Sequence, residues 1–217
     1  METAIASAGK SSRKERERQQ HRQEILSAAL HLFAEKGFHN VSMQEVAAAA
    51  EFATGTLYNF FSSKEDLFFE LLLVTAEESL RLILPTLEGH GNERDRLSRF
   101  IRIHAKIAHE QAAALRLYLL EVRGRYLPGP RVEAKKKEID ARIIVPLSHL
   151  IASGVRSGQF NEIDPVVGAK CLMATLQMFV IAAVEDLPAN DLDADLEKVE
   201  AVFFKGIVKS REQGAEA

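Results

Sequence analysis

The stretch VSMQEVAAAAEFATGTLYNFFSSKEDL, residues 41–67, decides how the rest of the chain is read. It holds two short helical patterns separated by a tight break. The first opens with Ser42-Met43-Gln44-Glu45, in which Ser42 caps the helix while Glu45 reaches back to the Ser42 amide, and Val41 staples onto Val46. Alanines follow, so this helix is slim and another helix can approach it closely. After Glu51-Phe52-Ala53 comes a second pattern, Thr54 to Phe61, in which Leu57 and Phe61 share an inward face at i,i+4. Thr54, Gly55, Thr56, Tyr58 and Asn59 are left outside. Small hydroxyls, a phenol and an amide are short donors and acceptors that suit base edges and phosphates. Ser-x-x-Glu alone marks only a helix start, and a lone helical tyrosine more often packs than binds. The weight rests on the whole constellation, which is a helix-turn-helix with its second helix destined for a major groove.

Thr56-Leu57-Tyr58-Asn59-Phe60-Phe61-Ser62-Ser63-Lys64-Glu65 resembles the Thr-Leu-Tyr-x-x-Phe-x-x-Lys-Glu signature of the TetR family of bacterial transcriptional regulators. The similarity covers about residues 22 to 70 in residue types, spacings and flanking helices. It implies that Gln44, Thr54, Gly55 and Thr56 lie near base edges, with Asn59 on the same outward face, and that Ser42, Tyr58 and Lys64 hold phosphates. Two positions depart from the family pattern. Glu51 stands where a glycine is usual, and Ala53 where a capping serine is frequent. A left-handed helix end at Glu51 would carry strain of order 1 kcal/mol. Thr54 is then expected to take over as the helix cap.

Charge supports the same partner by its distribution, not its sum. The 217 residues carry a formal net charge of −3. Lys10, Arg13, Lys14, Arg16, Arg18 and Arg22 nevertheless face only Glu15 and Glu17 in their window, so a basic arm enters the helix-turn-helix from an otherwise acidic chain. Residues 1–20 are expected to be a disordered arm. Gly9-Lys10-Ser11 imitates the end of a phosphate-binding loop, but Ala4 replaces its first glycine and no strand precedes it. Cys171 is the single cysteine and sits in an apolar run, where a small buried hydrophobe is expected. No apolar core of a secretory signal opens the chain, and the run from Cys171 to Val184 is short for a bilayer. A cytoplasmic protein without a membrane partner is the expectation.

Along the chain the apolar period is helical throughout. Ile25, Ala28, Ala29, Leu32 and Phe33 stripe a helix closed at Gly37, which supports the two motif helices. A fourth helix from Ser62 or Ser63 is expected to stop before Pro85, and a fifth runs from about Asn92 to Gln111. A sixth spans Ala112 to about Arg123, ended by Gly124 and the Pro128-Gly129-Pro130 turn. The seventh carries Pro146 inside its pattern, where a kink or restart is expected. Asp164-Pro165 signals the start of the eighth, apolar almost all round, and the ninth covers roughly Asp191 to Ser210. The fold expected is all-α, about nine helices. Its domains are the arm at 1–20, a helix-turn-helix DNA-binding domain at 21–66 and an effector-binding and dimerisation domain at 67–217.

Helices eight and nine, about residues 165–210, carry more apolar surface than one small helical domain hides. A two-fold homodimer resolves the excess and sets two reading heads at a fixed spacing on a near-palindromic operator. The resemblance also implies a small-molecule effector pocket among helices four to eight. Its candidates are residues that punctuate apolar stripes: His104, Tyr118, Met173, Gln177 and Phe179. The expected protein is a repressor released by a small apolar or amphipathic molecule. An architectural or division-related DNA-binding protein of the same fold is the alternative, and a helical-bundle enzyme a further one. The 7 histidines show no metal-ligand spacing, Cys171 has no evident base, and no glycine-rich nucleotide loop is present. No catalytic residue, metal or cofactor is therefore expected.

Overall fold

The computed structural model describes residues 2–119, 130–185 and 191–207. Among these the fold is all-α: α1 (Glu2–Lys36), a 3-10 turn (Phe38–Asn40), α2 (Met43–Ala49), α3 (Thr54–Tyr58), α4 (Lys64–Glu88), α5 (Glu93–Glu110), α6 (Ala112–Tyr118), α7 (Pro130–Arg156), α8 (Pro165–Val184) and α9 (Leu192–Ile207). The expected end of the sixth helix, with Arg123 and the Pro128-Gly129-Pro130 turn, lies largely outside the described residues, as do residues 186–190 and 208–210 of the expected dimerisation pair.

The chain divides into two compact units, Met1–Val74 and Thr75–Ala217. The expected boundary at residue 66 falls earlier, because the start of α4 belongs to the first core. Phe68 packs against Phe33 and Phe38, at ring-centroid distances of 6.2 and 5.0 Å, and Leu67 is fully buried. Around them Ile25, Ala29, Val46, Leu57 and Phe61 close a small apolar centre at which α1, α2, α3 and the head of α4 meet. Burying each of the larger side chains among these contributes roughly 1.5–3 kcal/mol before entropy is charged against it.

Two expectations change here. Residues 13–20 are helical and continue α1 instead of forming an irregular arm. The stretch holds no proline, and exposed i,i+4 pairs support it: Arg13 with Glu17 at 3.0 Å, Gln19 with Glu15 at 3.3 Å and Gln20 with Glu24 at 2.9 Å. Thr54 does not cap α3. Ala53 holds the N-cap position without any side-chain hydrogen bond, and Thr54 is the first helical residue.

In the second unit, Leu80, Ile83 and Leu87 of α4 line a core with Leu97, Phe100 and Ile101 of α5, Leu147 and Ile151 of α7, Leu172 and Leu176 of α8, and Leu196 of α9. That stripe explains why α4 runs past Pro85 to Glu88: Leu87, 1% exposed, lies beyond the proline and the core holds it. Likewise α7 continues through Pro146, because Ile143, Leu147, Leu150 and Ile151 keep one buried side across it. Each proline removes one backbone donor, and side-chain packing outweighs that loss. Helix starts follow the local signals. Asn92 accepts from the Asp95 amide at 2.9 Å, and Asp164 accepts from the Val166 and Val167 amides at 2.9 and 2.8 Å. After α7 the chain turns at Gly158 (φ 72) and lays Phe160 over Gly154, where an added Cβ would sit 2.2 Å from the ring.

Candidate nucleic-acid interface

The turn between α2 and α3 fixes how the reading helix is presented. At the start of α2 the capping box is complete: the Glu45 amide donates to Ser42 Oγ at 3.2 Å, and the Ser42 amide donates to Glu45 Oε2 at 2.9 Å. The Ser42 amide, the Ser42 hydroxyl and the Lys36 ammonium beside it hold the Glu45 carboxyl below its usual range. At the end of α2 the Phe52 amide bonds the Ala47 carbonyl at 2.8 Å and the Glu51 amide bonds that of Ala48 at 3.2 Å. These are the two bonds of a Schellman end, which requires a left-handed residue at Glu51. Glu51 adopts φ 61, the one positive value outside glycine among the described residues. The missing glycine is thus carried as strain, as expected.

α3 keeps Leu57 fully buried and Phe61 beyond it 1% exposed. Outward stand Gly55, Asn59 and Tyr58, the last 50% exposed, with Thr54 and Thr56 at intermediate exposure. A Cβ added at Gly55 would meet nothing within 4 Å, so no contact inside the chain requires glycine there. Gln44 is exposed on α2. A shallow depression brings together Ser42, Gln44, Tyr58 and Lys64, joined by His39 and Asn40 at its edge.

The Ser42 hydroxyl and Lys64 are already engaged within the chain. Ser42 Oγ also lies 2.9 Å from Glu45 Oε2, so its hydroxyl serves the cap. Lys64 Nζ donates to the carbonyls of Phe38 and Val41 at 2.8 and 2.9 Å and stands 4.4 Å from the Phe38 ring centre. Two of its three donors tie the 3-10 turn, just ahead of α2, to the head of α4. The signature lysine is therefore a strut of the motif, a role that a sequence-only reading of it as a phosphate ligand misses. Asn40, which donates to the Lys36 carbonyl at 2.8 Å and ends α1, was missed as well. Asparagine just past a helix end was the available signal.

Of the residues expected in an effector pocket, three belong to the second core. His104 is 7% exposed, Met173 is 9% exposed, and Phe179 packs against the same cluster. His104 Nδ1 lies 2.8 Å from the Phe100 carbonyl, which marks Nδ1 as the protonated nitrogen, while the buried Nε2 has no partner among the described residues. Burial lowers its pKa to about 4, so the ring is neutral at pH 7. Tyr118 is half-buried at the end of α6. Gln177 is exposed, contrary to expectation: α8 buries the side bearing Leu172 and Leu176, and Gln177 falls past its edge. Cys171 is also exposed, correcting its expected burial, and lies in a row with Val167 (54% exposed), Ala174 and Met178 (60%).

A polar, small-residue face on α3, held by a capped and strutted turn, defines a helix-turn-helix DNA-binding transcriptional regulator. Residues 25–71 match the sequence profile of the bacterial regulatory proteins of the tetR family. The regulator UidR of Escherichia coli K12 is 28% identical over 192 residues, covering 88% of this chain and 91% of its own. RutR of the same strain is 26% identical over 195 residues, covering 84% and 88%. The crystal structure of PfmR from Thermus thermophilus, a TetR-family regulator, superposes with a TM-score of 0.70 at 23% identity over 87% of this chain and 99% of that one. The chain belongs to the TetR family.

Proposed function

We propose that this regulator is a ligand-released repressor that binds a near-palindromic operator as a homodimer. The first unit would read DNA, with Gln44, Gly55 and Thr56 at base edges, Thr54 and Asn59 beside them and Tyr58 on a phosphate. Ser42 and Lys64 would shape the turn and offer at most their remaining donors. The observation that carries this reading is the outward face of α3, where a glycine with no steric role inside the chain sits among hydroxyls and an amide.

The second unit would sense and dimerise. Val167, Cys171, Ala174 and Met178 repeat at i, i+4, i+7 and i+11, so one apolar row faces outward along α8, and Val202 of α9 is 68% exposed. A second copy across a two-fold axis would cover both. By length and composition α8 would pass for a bilayer span, but Ala169, Leu172 and Leu176 are fully buried in the helical core, which supports a core-and-interface helix. The unpartnered His104 Nε2 supports an apolar effector that carries one hydroxyl or N–H to donate there. A typical coupling of about 1–3 kcal/mol would change operator affinity roughly 5- to 150-fold on effector binding. A cytoplasmic location follows from a chromosomal partner.

The test is selection of duplexes from a random pool by the purified protein, repeated with Gly55→Ala. Enrichment of a near-palindrome, lost or weakened in the variant without loss of helix content, supports the reading. Binding without sequence enrichment would instead favour an architectural role.

A further inference from the structure

Lys14, Arg18 and Arg22 recur at i, i+4 and i+8 on α1 and so form one row along it. Arg22 is tied down: it pairs with Glu70, and its guanidinium lies 5.6 Å from the Phe61 ring centre. Arg18 lies 6.0 Å from the ring of Phe60, the residue after Asn59 at the end of α3. His21, on the neighbouring side, meets Phe52 at 5.0 Å, just ahead of the α3 N-cap. This part of α1 therefore runs beside both ends of the reading helix. The acidic side chains nearby are engaged elsewhere, Glu15 by Gln19, Glu17 by Arg13 and Glu24 by Gln20. Lys14 and Arg18 are exposed and pair with no carboxylate among the described residues.

We infer that the turns of α1 around Lys14 and Arg18 form an auxiliary DNA-backbone contact, on phosphates flanking the segment that α3 reads. The inference rests on the DNA-reading role proposed above. Charge complementarity names the occupant: duplex DNA carries one negative charge per ~1.7 Å of axis, and the row projects next to the helix that would lie in its groove. The contact carries no sequence information. It adds affinity, salt dependence and a longer footprint.

The experiment compares wild type with a Lys14→Ala/Arg18→Ala variant on duplexes of two lengths, one ending at the selected consensus and one extended beyond it, across salt concentrations. On the long duplex the log–log salt slope of the variant is expected to fall by about 0.9 per lost contact, hence by nearly two per protomer. On the short duplex the two proteins should bind alike, and the selected consensus should stay the same. Arg13→Ala, which removes a cation already paired with Glu17, should change the slope less. An unchanged slope, or an equal loss on both lengths, overturns the inference, as does a row that binds anionic vesicles while the duplex slope stays put. If wild type selects no sequence at all, the specific-operator reading fails on its own. The slopes on long random duplexes still decide the arm.

Discussion

The two units differ in what they leave unfinished. In the first, the polar groups of the turn are satisfied within the unit: Ser42 by Glu45, Lys64 by two carbonyls, Asn40 by Lys36. What it exposes on α3 is polar and at home in water. The second unit buries a histidine nitrogen that has no partner among the described residues and turns a row of apolar side chains outward on α8. An exposed polar face costs nothing while it waits for DNA, whereas an exposed apolar row and an orphaned acceptor are both unfavourable until something covers them. The turn of the first unit is satisfied within itself. The second is built to be completed.

The largest expected effect attacks that contrast at α8. Met178→Asp places a charge on the most exposed member of the row, 60% exposed, and should leave the single chain folded while splitting the proposed dimer. Two tethered reading heads gain affinity through effective concentration, so operator binding should fall by roughly 10²–10⁴-fold, with sedimentation showing a monomer. The Cys171 thiol, covered in the proposed dimer, should then react rapidly with a disulfide reagent. A variant that stays dimeric with a slow thiol would move the interface off this row.

A smaller effect lies inside the second core. The His104 pKa is lowered to about 4 from 6.5, so the unfolded chain binds a proton there that the folded chain refuses. Stability contributed by this site is intact above pH 6.5 and is lost as pH falls from 6.5 toward 4, by roughly 3 kcal/mol in all. His104→Leu should flatten urea-unfolding midpoints between about pH 7.5 and 5 and should also raise stability at neutral pH by removing the orphaned nitrogen. The same variant should lose the effector response. A pH profile identical to wild type would show that His104 is not the titrating group.

Next comes a separation within the first unit. Lys64→Ala removes two charge-assisted hydrogen bonds, each net worth about 1.5–3 kcal/mol at most when part-buried, and should lower the thermal midpoint. Tyr58→Phe touches only an exposed phenol and should leave the midpoint in place while weakening DNA binding on all sequences. Equal midpoints for both variants would return Lys64 to the surface role that its motif position implies.

How much of this was legible in the sequence follows the range of the forces involved. The capping box at Ser42, the caps at Asn92 and Asp164, the inward pair Leu57 and Phe61 and the strain at Glu51 are all settled within a few residues, and each could be read directly. Lys64 could not, because its partners lie 26 and 23 residues away and a side chain rich in donors looks the same on the surface or folded inward. Pro85 misled for a related reason: local propensity predicts a stop there, and the buried Leu87 beyond the proline outweighs it, while at Pro146 the helix runs on without a restart. Gln177 and Cys171 were misplaced because a helix that is apolar all round gives no period from which to tell the core side from the interface side.

The smallest expected effect tests the frame of the reading helix itself. Glu51 at φ 61 occupies the position that closes the Schellman end of α2, and a side chain there costs about 1 kcal/mol relative to glycine. Glu51→Gly should therefore raise the stability of the first unit by about that amount, even though glycine widens the unfolded ensemble, because the left-handed conformation is already imposed by the Phe52 and Glu51 amides. Glu51 is exposed beside a helix proposed to enter an anionic groove, so the substitution also removes a negative charge from that surface. Affinity for DNA should rise on specific and random duplexes alike, and the gain should shrink with salt. Stability and affinity rising together would place the departure from the family pattern at the frame of the reading head. A rise in stability with unchanged affinity would mean that Glu51 points clear of the phosphates and acts on the turn alone.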